Sequence, residues 1–64
     1  MSRIRRGGYI FYAWKTDHAP RHVHVYSGDR FVVKWDMEKG ESMKGRSTRR
    51  LRRLIAELED EGLL

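Results

Sequence analysis

The 64-residue chain contains no cysteine and only one proline. The first absence excludes disulfides and thiolate metal sites, and it fits a reducing compartment. There is no run of apolar residues long enough to span a bilayer and no signal-peptide pattern, so a cytoplasmic protein without a membrane segment is expected. Acidic residues are the scarcer charge, nine against 14 Lys and Arg, leaving a formal charge of +5. Ten of those cations are arginine, whose planar fork suits phosphate and carboxylate. Nucleic acid or an acidic protein is the expected kind of partner. A chain this short forms one domain with a small core, which a partner subunit, a bound metal or a tight helix-on-sheet packing must supplement.

All three histidines and the single proline fall in His18-Ala19-Pro20-Arg21-His22-Val23-His24-Val25-Tyr26. Pro20 fixes its own φ and pushes Ala19 away from helix, so the stretch reads as a stiff turn feeding a strand. Strand side chains alternate between faces, which puts His22, His24 and Tyr26 on one side and Val23 and Val25 on the other.

Residues 1–8 read as a basic arm carrying Arg3, Arg5 and Arg6 and ending in a glycine pair. Residues 9–64 read as a single domain. Residues 9–15 (Tyr-Ile-Phe-Tyr-Ala-Trp-Lys) are aromatic and β-branched and form the first strand. Both of its faces are apolar, yet one helix covers only one side of a small sheet. Residues 22–26 form the second strand, Ser27-Gly28-Asp29 a hairpin turn, and residues 30–37 the third strand, with Phe31, Val33 and Trp35 assigned to the core. A short edge strand over residues 41–43 would be a fourth. Ser47 is the expected N-cap of a helix over residues 48–61, whose Leu51, Leu54, Ile55 and Leu58 fall on one stripe. Gly62 should end that helix. Its arginines (Arg49, Arg50, Arg52, Arg53) crowd the N-terminal half and its acids the C-terminal half, against the macrodipole. The fold class is therefore α+β: a three- to four-stranded antiparallel sheet, in the order β-β-β-α, packed by one C-terminal helix.

Three chemistries fit a histidine at i and i+2 on one strand face. Two imidazoles there, with His18 as a third, could ligate a metal in the manner of an open zinc site. The same pair could work as acid and base on RNA, one removing the 2′-hydroxyl proton and the other protonating the leaving 5′-oxygen. Lys15, Arg21 or Lys34 would then stabilise charge on the phosphate, and Tyr12, Trp14 and Tyr26 would stack on unpaired bases. Arg49, Arg50 and Arg53 form a second candidate phosphate-binding ridge. Third, the histidines and aromatics could be a non-catalytic contact face for nucleic acid or for a protein that covers the sheet. The first of these would need a metal; the RNA reading needs no cofactor.

The segment from His18 to Val25 resembles the H-x-P-P-H-x-H-V signature of the small bacterial proteins grouped as domain of unknown function 4160, with Arg21 in place of the second proline. The aromatic strand before it, Ser27-Gly28-Asp29 after it, the run from Trp35 to Glu41 and the closing amphipathic helix agree as well, so the resemblance covers about residues 8–64. It implies a role as the toxin-like half of a toxin–antitoxin-type gene pair, beside a small antitoxin-like protein. The strands-then-helix layout is also similar to HicA-like toxins, which cleave messenger RNA without a metal. The resemblance carries no residue roles; the same-face histidines on a basic, aromatic-rich sheet give the expectation that His22 and His24 are the acid–base pair, with His18 and Arg21 assisting, RNA as the partner and homodimerisation open.

Overall fold

A computed structural model of the chain describes residues 2–13 and 21–64. Five strands and one helix follow in chain order: β1 (Ser2–Arg6), β2 (Tyr9–Ala13), β3 (His22–Ser27), β4 (Arg30–Asp36), β5 (Glu41–Gly45) and α1 (Arg49–Asp60). The sheet is an antiparallel meander in the order β1-β2-β3-β4-β5. The α+β class with a single C-terminal helix is as expected, but the strand count is five rather than three or four.

The extra strand comes from the stretch read as an arm. Gly7 and Gly8 both take positive φ, 61° and 86°, which is what a two-residue hairpin turn between Arg6 and Tyr9 requires. The turn folds Ser2–Arg6 back along β2, pairing Ile4 with Phe11. Arg50 of α1 secures it, donating to the Gly7 carbonyl at 2.8 Å while its guanidinium lies 5.7 Å from the Tyr9 ring.

The core lies between α1 and one face of the sheet. Phe11, Val23, Val25, Val33, Trp35, Leu51, Ile55 and Leu58 form one buried cluster, with Leu54 packed against it. Burying a side chain of this kind contributes roughly 1.5–3 kcal/mol. The helical stripe is thus as expected, while the cap is displaced by one residue: Thr48, not Ser47, accepts from Leu51 N–H at 3.1 Å. Ser47 instead accepts from Arg52 at 3.0 Å. At the far end Gly62 takes a φ of 79°, and Leu63 and Gly62 donate to the carbonyls of Leu58 and Glu59. That pair of reverse bonds closes the helix.

Phe31 departs from the expected core. An irregularity in the β3–β4 ladder explains why. Between β3 and β4 the register shifts after Val25, so Val33 pairs with Val25 but Phe31, not Val32, pairs with Tyr26. The extra residue inverts the alternation. Val32 then packs toward the core, and Phe31 emerges on the other face, 36% exposed. Between β4 and β5 the register shifts again, with Met43 as the extra residue.

The unfavourable charge order of α1 is partly offset by tertiary contacts. No acid lies in its first turn and no base in its last. Arg6 grips the Glu61 carboxylate with two nitrogens, and Arg21 meets Glu59 at 3.2 Å. The Arg6 hydrogen bonds hold the Glu61 carboxyl below its ordinary value of 4.5. A carboxyl whose folded value is depressed contributes stability above its unfolded value and loses it as pH falls through the folded one. The melting temperature of Glu61→Gln should therefore lie slightly below that of the parent at pH 7, and the two should converge on acidification below pH 4.5. Equal gaps at pH 7 and pH 3 would show that this pair does not carry the difference.

Candidate nucleic-acid interface

With α1 on one side, the other side of the sheet is left without a packed element among the described residues. The register arranges its side chains in transverse rows. Arg3 pairs with Tyr12, Tyr12 with His24, His24 with Lys34, and Lys34 with Lys44, one row across all five strands. Neighbouring strands are about 4.8 Å apart, so the row spans roughly 19 Å. A second row runs Arg5, Ile10, Tyr26, Phe31, and a third runs His22, Asp36, Glu41.

This face is aromatic and cationic. The rings of His22 and His24 meet edge to face with centroids 5.1 Å apart. Tyr12 and Tyr26 meet at 5.5 Å and 90°, and Tyr26 and Phe31 at 5.7 Å and 78°. Both histidines are half-buried, and the Nδ1 atom of His24 is shielded from solvent. Arg3 and Arg5 flank the rings on one side and Lys34 and Lys44 on the other. Two carboxylates stand in the third row: Glu41 is exposed at the sheet edge, while Asp36 is 3% exposed and accepts from the N–H groups of Glu38 (2.8 Å) and Lys39 (2.9 Å). The charge of Asp36 is committed to the β4–β5 turn, and Arg3, Arg5, Lys34 and Lys44 outnumber the two carboxylates.

Of the residues singled out from the sequence, Tyr12, His22, His24, Tyr26 and Lys34 share this face. His18, Trp14 and Lys15 lie outside the described residues. Arg21 sits at the mouth of β3 with its side chain directed to Glu59 on the helix layer and its N–H donating to Glu38 at 2.6 Å. Arg49, Arg50 and Arg53 belong to α1, across the sheet, and form no single patch with the histidines. Arg50 is engaged with the β1–β2 turn.

Four residues of the face escaped the sequence reading. Arg3 and Arg5 were assigned to an arm, although a Gly-Gly pair between an alternating run and an aromatic strand is itself a hairpin signal. Phe31 is expected in the core and Lys44 lies beyond the short edge strand expected over residues 41–43; no local pattern reveals the place of either, because the two register shifts that expose them depend on which strands pair.

Among the described residues no group of three or more His, Cys, Asp or Glu side chains is placed to hold a metal ion. His22 and His24 provide two imidazoles; a third would have to be His18. No helix is long and apolar enough to cross a membrane among the described residues.

These features define a small α+β protein in which one helix backs an antiparallel sheet and the opposite sheet face carries paired histidines among rings and cations. The chain belongs to the family described as domain of unknown function 4160, whose model matches residues 8–61. No curated protein and no solved structure matches it.

Proposed function

We propose that the protein is the toxin-like, RNA-acting member of a toxin–antitoxin-type pair, that its uncovered sheet face meets single-stranded RNA, and that His22 and His24 work there as an acid–base pair without a metal. The observation that supports this reading is the row Arg3, Tyr12, His24, Lys34, Lys44, in which the His24 imidazole lies between the Tyr12 ring and two lysines. Rings that accept any base face, beside cations that track the phosphates, are what sequence-tolerant binding of single strands needs. One imidazole takes the proton of a ribose 2′-hydroxyl, the oxygen attacks the adjacent phosphorus, and the 5′-oxygen leaves with a proton from the other imidazole. The products are a 2′,3′-cyclic phosphate and a 5′-hydroxyl, so no water or metal is consumed. Lys34, beside His24 in the row, faces the charge that develops on the phosphate.

A second reading is a binding face without chemistry, for RNA or for a small antitoxin-like protein. The edge-to-face contact of the two imidazoles favours it, since it makes them part of the floor of the face.

The test is incubation of the purified protein with end-labelled single-stranded RNA from pH 5 to 8 in the presence of a chelator. The expected result is fragments ending in a cyclic phosphate, lost in His24→Ala. Intact RNA at every pH with folded protein removes the enzyme reading. Anisotropy titration at two salt concentrations then decides whether the face binds RNA, which weakens steeply with salt.

A further inference from the structure

The two register shifts have a common product. Had β4 kept the pairing of Val33 with Val25 as far as the β3–β4 turn, Val32 would oppose Tyr26 and Phe31 would face the core side opposite Ser27. Had β5 kept the pairing it has at the β4–β5 turn, Met43 would oppose Lys34, and Lys44 would face the core opposite Val33. Instead Phe31 joins Tyr26, and Lys44 joins Lys34, on the histidine side. The four residues and His24 enclose an open depression of about 440 Å³.

Its walls are specific. The Tyr26 and Phe31 rings meet at 78°, forming an aromatic corner, and the Lys44 ammonium stands 6.0 Å from the centre of the Phe31 ring. Lys34 supplies a second cation, and among the described residues no carboxylate lines the depression. The volume is that of a small-molecule site. A flat ring fits the corner, and an anion attached to that ring comes within reach of both ammonium groups. A nucleotide combines such a ring with such an anion.

We propose that this depression is a nucleotide subsite: an unpaired base stacks on Phe31 against Tyr26, and its phosphate lies between Lys34 and Lys44, beside His24. The proposal rests on the RNA-acting reading and deepens it, because it selects one nucleotide of the strand for the position next to the imidazole. It also gives the bulges a purpose, since a regular sheet would bury Phe31 and turn Lys44 inward.

The experiment is anisotropy and emission titration of a single-stranded RNA 12-mer carrying one 2-aminopurine, with the parent protein, Phe31→Ala, Lys44→Gln and the exposed turn control Lys39→Gln. Helical circular dichroism checks that each variant is folded. With the parent, stacking should change the 2-aminopurine emission. Phe31→Ala should remove that change and weaken binding about tenfold, in line with the loss of one base–aromatic stack. Lys44→Gln should lower the slope of log affinity against log salt by roughly 0.7, one phosphate contact on a single strand. Lys39→Gln should bind as the parent does. If the parent binds RNA and both Phe31→Ala and Lys44→Gln stay within twofold of it, the subsite is overturned while the RNA-acting reading stands. If the parent binds no RNA, that reading fails, and titration with adenosine and uridine 5′-monophosphates decides the subsite. Ring-proton shifts confined to Tyr26 and Phe31 retain it as a site for free nucleotides, and unmoved rings overturn it.

Discussion

Alanine in place of His24 is expected to lower the rate of single-stranded RNA cleavage by about a hundredfold or more, the usual contribution of a positioned acid or base. The expectation follows from where the ring sits. His24 is on the central strand of a five-stranded sheet, in the row that carries cations at its ends, and its ring touches that of His22. A proton-transfer pair works only while one imidazole is neutral and the other protonated, so the rate should pass through a maximum with pH. Removing one partner should erase one limb of that profile, which a merely structural role would not do. His24→Gln keeps the size and the polarity of the side chain without the ability to exchange protons. It should therefore lose cleavage as alanine does while binding RNA within a few-fold of the parent. Single-turnover rates and anisotropy on the same RNA separate the two quantities. If His24→Gln cleaves at the parent rate, the acid–base pair is wrong and the face is a binding surface only.

Gly45→Ala should be the most damaging single-methyl change in the protein. Gly45 ends β5 with a φ of 81°, which disfavours any side chain, and a Cβ placed there would lie 2.3 Å from the Val32 carbonyl oxygen and 3.1 Å from the Val33 Cα. Those obstacles are backbone, and they belong to the segment that carries the bulge, so they cannot rotate aside. Left-handed backbone and a steric conflict together should destabilise by about 3 kcal/mol. In a domain of this size that is a fall in melting temperature of roughly 12–24 °C. Gly7→Ala is the instructive comparison. Its φ of 61° is similarly unsuitable, but the nearest obstacle is the Cδ1 end of Leu54 at 2.7 Å, a side chain that can move. Thermal melts should rank Gly45→Ala clearly below Gly7→Ala. The reverse order would mean that β5 yields more easily than the helix-side packing, and that the second bulge is not held as described. Gly45→Ala should also weaken RNA binding, because its Cβ would press on Phe31 at 3.2 Å.

Local chemistry was enough to identify most of the elements. Period-2 alternation in residues 22–26 and the leucine stripe of the helix are properties of the chain itself, and both were legible. So was the division of His22 and His24 from Val23 and Val25, because neighbours on a strand always face opposite ways. Gly62 as the helix stop follows from the same kind of local rule. Read as a terminus, β1 was missed, since an alternating Arg-Ile-Arg becomes a strand only when Tyr9–Ala13 is there to pair with it.

What the amino-acid order determined by itself is a basic, cysteine-free α+β chain with one amphipathic helix and two histidines on one strand face. Those features depend only on residue type and spacing. Tertiary structure alone decided which face of β2 the helix covers, that Phe31 and Lys44 turn toward the histidines, and that Arg49, Arg50 and Arg53 lie on the other side of the sheet. Each of these depends on register, and register is set by the partner strand: one extra residue opposite Val25 or Trp35 reverses the alternation without leaving any mark in the sequence around it.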